Sequence, residues 1–283
     1  MKRTSSTSYE EKKKKYQKPP QPKKVCLEYD KTPVTEAFEK YAMELNSKQD
    51  KSERIVKLSR DVTIASKRAI FSLHALMRSG NYEEDLAKIT ETLETVRENL
   101  LKNIALELAG DDPYQFCRNY TAGLQEYVEA ITFYHFITKG GLFNIEVIQD
   151  ELTFQKKVME QGEPPQEKVP LLVPFFDYIL GIQDLTGEIM RHCINCFSAR
   201  NLEAGNKDCN FVKNLYTGLL LLNTYRNAMS HGMQGRDFTK KMSVTLQSLK
   251  KMEMACYAAH IRGSEALDFG FNTDEFESYN FGD

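Results

Sequence analysis

TAGLQEYVEAITFYHFI, residues Thr121–Ile137, contains no helix breaker after Gly123. Its bulky residues Leu124, Tyr127, Val128, Ile131, Phe133, Tyr134 and Phe136 are spread around a helix axis rather than along one stripe, the pattern of an interior helix. Yet the same stretch carries Glu126 and Glu129. Three residues apart, these carboxylates share one helix face with about 5–6 Å between their Cβ atoms, close enough to hold one hard metal ion. Burying them alone would cost several kcal/mol each, so protonation, a basic partner or a metal has to satisfy them.

A second segment can complete such a site. Pro174–Phe197, PFFDYILGIQDLTGEIMRHCINCF, opens on a proline suited to a first helical turn and then runs uninterrupted. At 100° per residue, Asp177, Asp184, Glu188 and Arg191 fall within roughly 60° of one another, while Phe176, Ile179, Leu180, Ile182, Leu185 and Ile189 take other faces. Packed face to face, the two helices would gather Glu126, Glu129, Asp184 and Glu188 into one acidic pocket. Four carboxylates without a thiolate suit Mg²⁺, with Mn²⁺ as the alternative.

The rest of the chain reads as helix. Pro33–Ser79 lacks interior Gly and Pro and stops at Ser79-Gly80-Asn81, and its Ile55, Leu58, Val62, Ala65, Ala69, Leu73 and Leu76 form one apolar stripe. A helix over about Glu83–Leu108 points Leu86, Ile89, Leu93, Val96, Leu100 and Ile104 inward. Asn144–Met159 reads as a shorter helix, and 161–170 as an exposed loop. Asn201–Asp208 reads as a polar break before helices near Phe211–Met229 and Asp237–Ile261. Strand signals are sparse, so the fold class expected is all-α, with one domain as the default.

With 283 residues, 41% of them hydrophobic, the chain can bury a substantial core. Its net charge of -2 hides a basic tail over 1–31 and an acidic one over 266–283, both expected to be solvated and disordered. No apolar run reaches the roughly 20 residues that span a bilayer, and no signal peptide is legible, so no membrane partner is expected. Lys12–Lys15 fits either a nuclear import signal or a solubilising arm. The six cysteines are dispersed and read as free thiols. Cys193-Ile-Asn-Cys196, with His192 and Cys209 nearby, has zinc-like spacing; without a second such pair, two cysteines on adjacent turns of an apolar helix read better as core thiols.

Opposite its apolar stripe the first long helix presents Arg54, Lys57, Arg60, Lys67 and Arg68. They form either a solvated face or a surface that tracks a phosphate backbone, with Arg191 as a further cation beside the acidic stripe. Of the five histidines, His135 and His192 read as packing or surface groups rather than acid–base catalysts.

Four segments in order, SERIVKLSRDVTIASKRAIFSLH (Ser52–His74), GLQEYVEAITFYHFI (Gly123–Ile137), DYILGIQDLTGEIMRHCIN (Asp177–Asn195) and ACYAAHIRGSE (Ala255–Glu265), resemble the translin family. The likeness covers about Thr32–Glu265 and is strongest to the family's catalytic branch. It implies an all-α fold of about seven helices in a curved antiparallel α-α superhelical bundle, one domain over 32–265 assembled into barrel-like octamers, and a metal-dependent endoribonuclease formed with translin. Single-stranded RNA and siRNA passenger strands are the substrates implied, with silencing-complex proteins as further partners and residence in cytoplasm and nucleus. The GLQEYVEA and DLTGE motifs place the family's carboxylates on Glu126, Glu129, Asp184 and Glu188. A non-catalytic, nucleic-acid-binding scaffold that partners translin is the alternative. Apolar-striped helices and the run Leu215–Leu222 independently point to an oligomer.

Overall fold

The computed structural model describes residues 31–76, 79–157, 166–229 and 233–262. The Lys12–Lys15 run, Cys26 and the acidic tail over 266–283 lie outside them. Helix α1 spans Pro33–Leu76. Helix α2 covers 82–108 as Tyr82–Thr95, a π turn at Val96–Leu101, and Lys102–Leu108. Then come α3 (Cys117–Lys139), α4 (Ile145–Glu151), strands β1 (Thr153–Lys157) and β2 (Gln166–Pro170), α5 (Phe175–Ser198), α6 (Leu202–Met229) and α7 (Met233–Arg262). Seven helices and one antiparallel hairpin among the described residues make the fold all-α, as expected.

Two compact units are distinguished, Met1–Asn46 and Ser47–Asp283. In the first, the described part of α1 buries no side chain; Phe38 and Tyr41 meet edge to face at 5.9 Å. The core lies in the second unit.

Within that unit α3 is interior on almost every side. Tyr120, Leu124, Tyr127, Val128, Ala130 and Phe133 are each at most 1% exposed, and each large one contributes about 1.5–3 kcal/mol of apolar burial. Gly140, at φ 75°, ends the helix by donating its N–H to the carbonyls of His135 and Phe136. Helix α5 is the hub, packing against α3, α6 and α7. Close approach is possible because glycines sit at the crossings. A Cβ on Gly123 would lie 2.5 Å from the Ser59 carbonyl oxygen of α1, and one on Gly181 would lie 2.9 Å from the Gln125 carbonyl oxygen of α3.

Several local expectations are corrected. The buried stripe of α1 runs Ile55, Ser59, Val62, Ser66, Ala69, Leu73, Leu76, with Leu58 and Ala65 only half-buried. Ser59 stands in that stripe where Gly123 brings α3 too close for a larger residue. The π turn inserts an extra residue into the period of α2, so Leu101 is fully buried while Leu100, expected inward, packs against the core only half-buried. The helix expected over Asn144–Met159 stops at Glu151, and the loop expected over 161–170 contains strand β2, with Phe154 paired to Val169 and both buried. A strand of five residues with one apolar inward side chain leaves little alternation to read. Asn201–Asp208 is not a break: α6 starts at Leu202, and Asn201 caps it by accepting the Ala204 N–H at 3.1 Å.

Gly123→Ala tests the closest crossing. Gain in helix propensity is about 1 kcal/mol, whereas displacing a neighbouring backbone costs about 1–3 kcal/mol. The variant is expected to be less stable in urea unfolding, with an unchanged helical circular dichroism spectrum.

Candidate functional site

Four helices wall a cleft of about 610 Å³, with Lys67 and Phe71 from α1, Glu126 and Glu129 from α3, Asp184, Glu188 and Arg191 from α5, and Lys241 from α7. The four carboxylates named from the sequence thus meet in one place. The α3 and α5 helices face each other because Gly181 lets them approach, and this turns their acidic faces to the same cavity.

Each of three carboxylates is held by a cation of this chain. Lys67 Nζ lies 2.9 Å from Glu126 Oε1. Lys241 Nζ bonds Asp184 Oδ2 at 2.6 Å, and also Gln125 Oε1 and the Leu180 carbonyl. Glu188 Oε2 takes His74 Nε2 at 2.5 Å and Arg191 Nη1 at 3.0 Å. Burial opposes ionisation of Glu188, yet the His74 bond and the charge of Arg191 outweigh it and hold the carboxyl below its usual range. His74 Nδ1, on the far side of the ring from Glu188, is buried with no hydrogen-bond partner among the described residues.

Glu129 is the exception. It is 8% exposed, and its carboxyl receives no hydrogen bond or ion pair from the described residues. Burial first, then the charges of Asp184, Glu126 and Glu188, push it up to about 8. A buried, unpartnered carboxyl facing three others is a position where a divalent cation would relieve both desolvation and repulsion, and an all-oxygen donor set suits Mg²⁺ or Mn²⁺. The carboxylate oxygens do not converge in threes within 4.8 Å; among the described residues only His192, Cys196 and Asp208 offer such a group. Coordination at the acidic cleft therefore requires the carboxylates to turn from their cations. Lys67, 62% exposed, is free to swing into solvent when they do.

The cationic row on α1 divides. Arg54 forms two hydrogen bonds to Glu107 of α2 at 3.0 and 2.9 Å, and Lys67 serves the cleft. Lys57, Arg60 and Arg68 are exposed. Asp177, on the acidic stripe of α5, lies outside the cleft and accepts Gln125 Nε2 at 2.8 Å. His135 stacks on Phe143, the packing role expected of it. Phe71 and Lys241 of the cleft wall, and His74 behind it, carry no assignment from the sequence. His74 is bonded to Glu188 and lies seven residues after Lys67, so on the same face of α1, a spacing legible in the sequence. Lys241 gives no such signal, because only the fold brings α7 to α5.

Glu129 also makes a pH prediction. Its folded pKa is raised, so its contribution to stability is complete below 4.5 and is lost as pH rises towards about 8. In EDTA, Glu129→Gln is expected to reduce the fall in stability across that window, by at most about 1.4 kcal/mol per pH unit for one proton. Urea unfolding of both proteins at several pH values checks it; parallel pH curves would refute it.

A translin family profile matches residues 50–263. Translin-associated protein X of Mus musculus is 41% identical over 245 residues, covering 83% of this chain and 81% of that protein. The Schizosaccharomyces pombe homologue is 30% identical over 243 residues, covering 85% and 94%. In fold, the chain is similar to apo-NeC3PO, with a TM-score of 0.57, 22% identity and coverage of 81% of this chain and 98% of that one. AfC3PO in complex with duplex RNA gives a TM-score of 0.55 at 19% identity, covering 80% and 98%. The sequence match over most of both chains and the shared helical fold place this chain in the translin family.

Proposed function

We propose that this chain is the catalytic subunit of a metal-dependent endoribonuclease assembled with translin, cleaving RNA phosphodiesters such as those of siRNA passenger strands. The observation that carries the proposal is the cleft in which Glu126, Glu129, Asp184 and Glu188 face Lys67, Arg191 and Lys241. Acids to hold a divalent ion and cations to meet a phosphate are what hydrolysis of a phosphodiester needs side by side. The names of the relatives associate them with translin, and AfC3PO, a neighbour in fold, holds duplex RNA; both support the reading.

Glu126, Glu129, Asp184 and Glu188 would hold Mg²⁺ or Mn²⁺, which supplies a Lewis acid for a phosphoryl oxygen and makes water a stronger acid. His74 and Arg191 keep Glu188 ionised and fix its rotamer. Lys67 and Lys241, once released from Glu126 and Asp184, are positioned to neutralise a phosphate entering the cleft. Phe71, 76% exposed on the cleft wall, offers a flat face on which a base can stack, worth about 1–3 kcal/mol. Lys57, Arg60 and Arg68 continue the positive face of α1 along which a strand could run.

One observation favours the scaffold alternative. Three of the four acids already have cationic partners within this chain, so they would be satisfied without a metal.

Glu126→Gln combined with Glu129→Gln separates the two. Expected is loss of Mg²⁺-dependent cleavage of single-stranded RNA by at least about a hundredfold, with assembly with translin and RNA binding intact. Cleavage at the wild-type rate would eliminate the nuclease reading. A second measurement concerns the product ends. Attack by water leaves a 3′-hydroxyl and a 5′-phosphate, and these are expected; 2′,3′-cyclic phosphate as the main product would show attack by the ribose hydroxyl instead.

A further inference from the structure

One turn beyond Glu188, α5 carries a second cluster that the acidic cleft does not use. His192 Nδ1 lies 2.6 Å from Asp208 Oδ2 of α6. Cys196 Sγ lies 3.7 Å from that same nitrogen and 4.0 Å from that same oxygen. Cys196 and Asp208 are 1% and 3% exposed. The rings of Phe133 and Phe136 stand edge-on to the imidazole at 6.4 and 6.5 Å and fix its plane.

Two chemistries use cysteine, histidine and aspartate together, and the geometry separates them. A nucleophilic relay needs both ring nitrogens, one towards the sulfur and the other towards the carboxylate. Here sulfur and carboxylate approach one nitrogen, so no relay is set up. Instead the three donor atoms form a small triangle. Once the 2.6 Å contact between His192 and Asp208 opens by about half an ångström, all three atoms can lie at zinc's bond lengths of about 2.0–2.3 Å from one point outside their plane, leaving a fourth position for water. The donor set is mixed and borderline-soft, unlike the all-oxygen cleft. Cys193 is not part of it, because its thiol donates to the Gly205 carbonyl at 3.3 Å.

We propose that His192, Cys196 and Asp208 form a Zn²⁺ site that ties α5 to α6, distinct from the carboxylate cleft. Zinc replaces the thiol proton of Cys196 and the proton shared between His192 and Asp208, and water completes its tetrahedron. Bound to both helices of the folded chain and to no preformed site in the unfolded one, it raises thermal stability by mass action. The helix that carries Glu188 is thereby anchored one turn further along.

Co²⁺ added to the full chain in saturating Mg²⁺ tests the site, because a thiolate ligand gives cobalt a near-ultraviolet charge-transfer band that carboxylates do not. Expected are one such Co²⁺ per chain, displacement by Zn²⁺ and not by Mg²⁺, and loss of the band in Cys196→Ser. The band is expected to survive in Cys193→Ser and in Glu126→Gln with Glu129→Gln. Asp208→Asn, a folded alternative should Cys196→Ser not fold, is expected to weaken Co²⁺ binding at least about tenfold. Absence of the band in the wild-type chain, its persistence in folded Cys196→Ser, or unchanged affinity in Asp208→Asn would overturn the proposal.

Discussion

Close approach of three helix backbones is the constraint on which the structure rests. Gly123 lets α3 sit against Ser59 of α1, and Gly181 lets α5 sit against Gln125 and Val128 of α3. Each contact is worth little as an attraction. Its value lies in what it excludes, since a single methyl group at either glycine would meet backbone or a branched side chain at under 3 Å. With the crossings fixed, α1, α3 and α5 present Lys67, the glutamate pair and the acidic stripe to one cavity. The glycines thus act on the chemistry without touching it.

Inside the cavity, charge balance decides how each acid behaves. Glu126, Asp184 and Glu188 each have a cation within 3.0 Å, while Glu129 is more buried and has none. Four carboxylates against Lys67, Lys241 and Arg191 leave an excess of one negative charge, which is removed when Glu129 keeps its proton or when a divalent ion takes the place of Lys67. Such buried ion pairs are weak evidence for stability, because desolvation consumes much of their Coulombic gain. They make better sense as a balanced set that can be repartnered, with exposed Lys67 the easiest member to move.

Different parts of this arrangement were legible to different degrees. The interior nature of α3 could be read because its apolar residues surround the axis, and the acidic stripe of α5 because helical geometry aligns Asp184 and Glu188 whatever lies opposite. The β1–β2 hairpin and the N-terminal turns of α6 could not. Phe154 and Val169 become inward-facing only when paired, and 201–208 is polar because it begins a helix at the surface. The full burial of Leu101 beside half-buried Leu100 was hidden for a local reason: a π turn shifts the period, and sequence periodicity assumes that the period is constant.

By itself the sequence determined that the chain is helical, that two of its helices carry acidic faces, and that Glu126 with Glu129 and Asp184 with Glu188 each share one of those faces, because helical periodicity is a property of spacing along one segment. Only the tertiary structure decided that these helices face each other, that His74 and Lys241 enter the site, that Glu129 alone lacks a cation, and that Cys196 turns towards His192 and Asp208 while Cys193 does not. Each of these depends on contacts between residues from 12 to over 100 positions apart. Spacing within a helix says which residues share a face, but the neighbour of that face is fixed by how closely the backbones can pack.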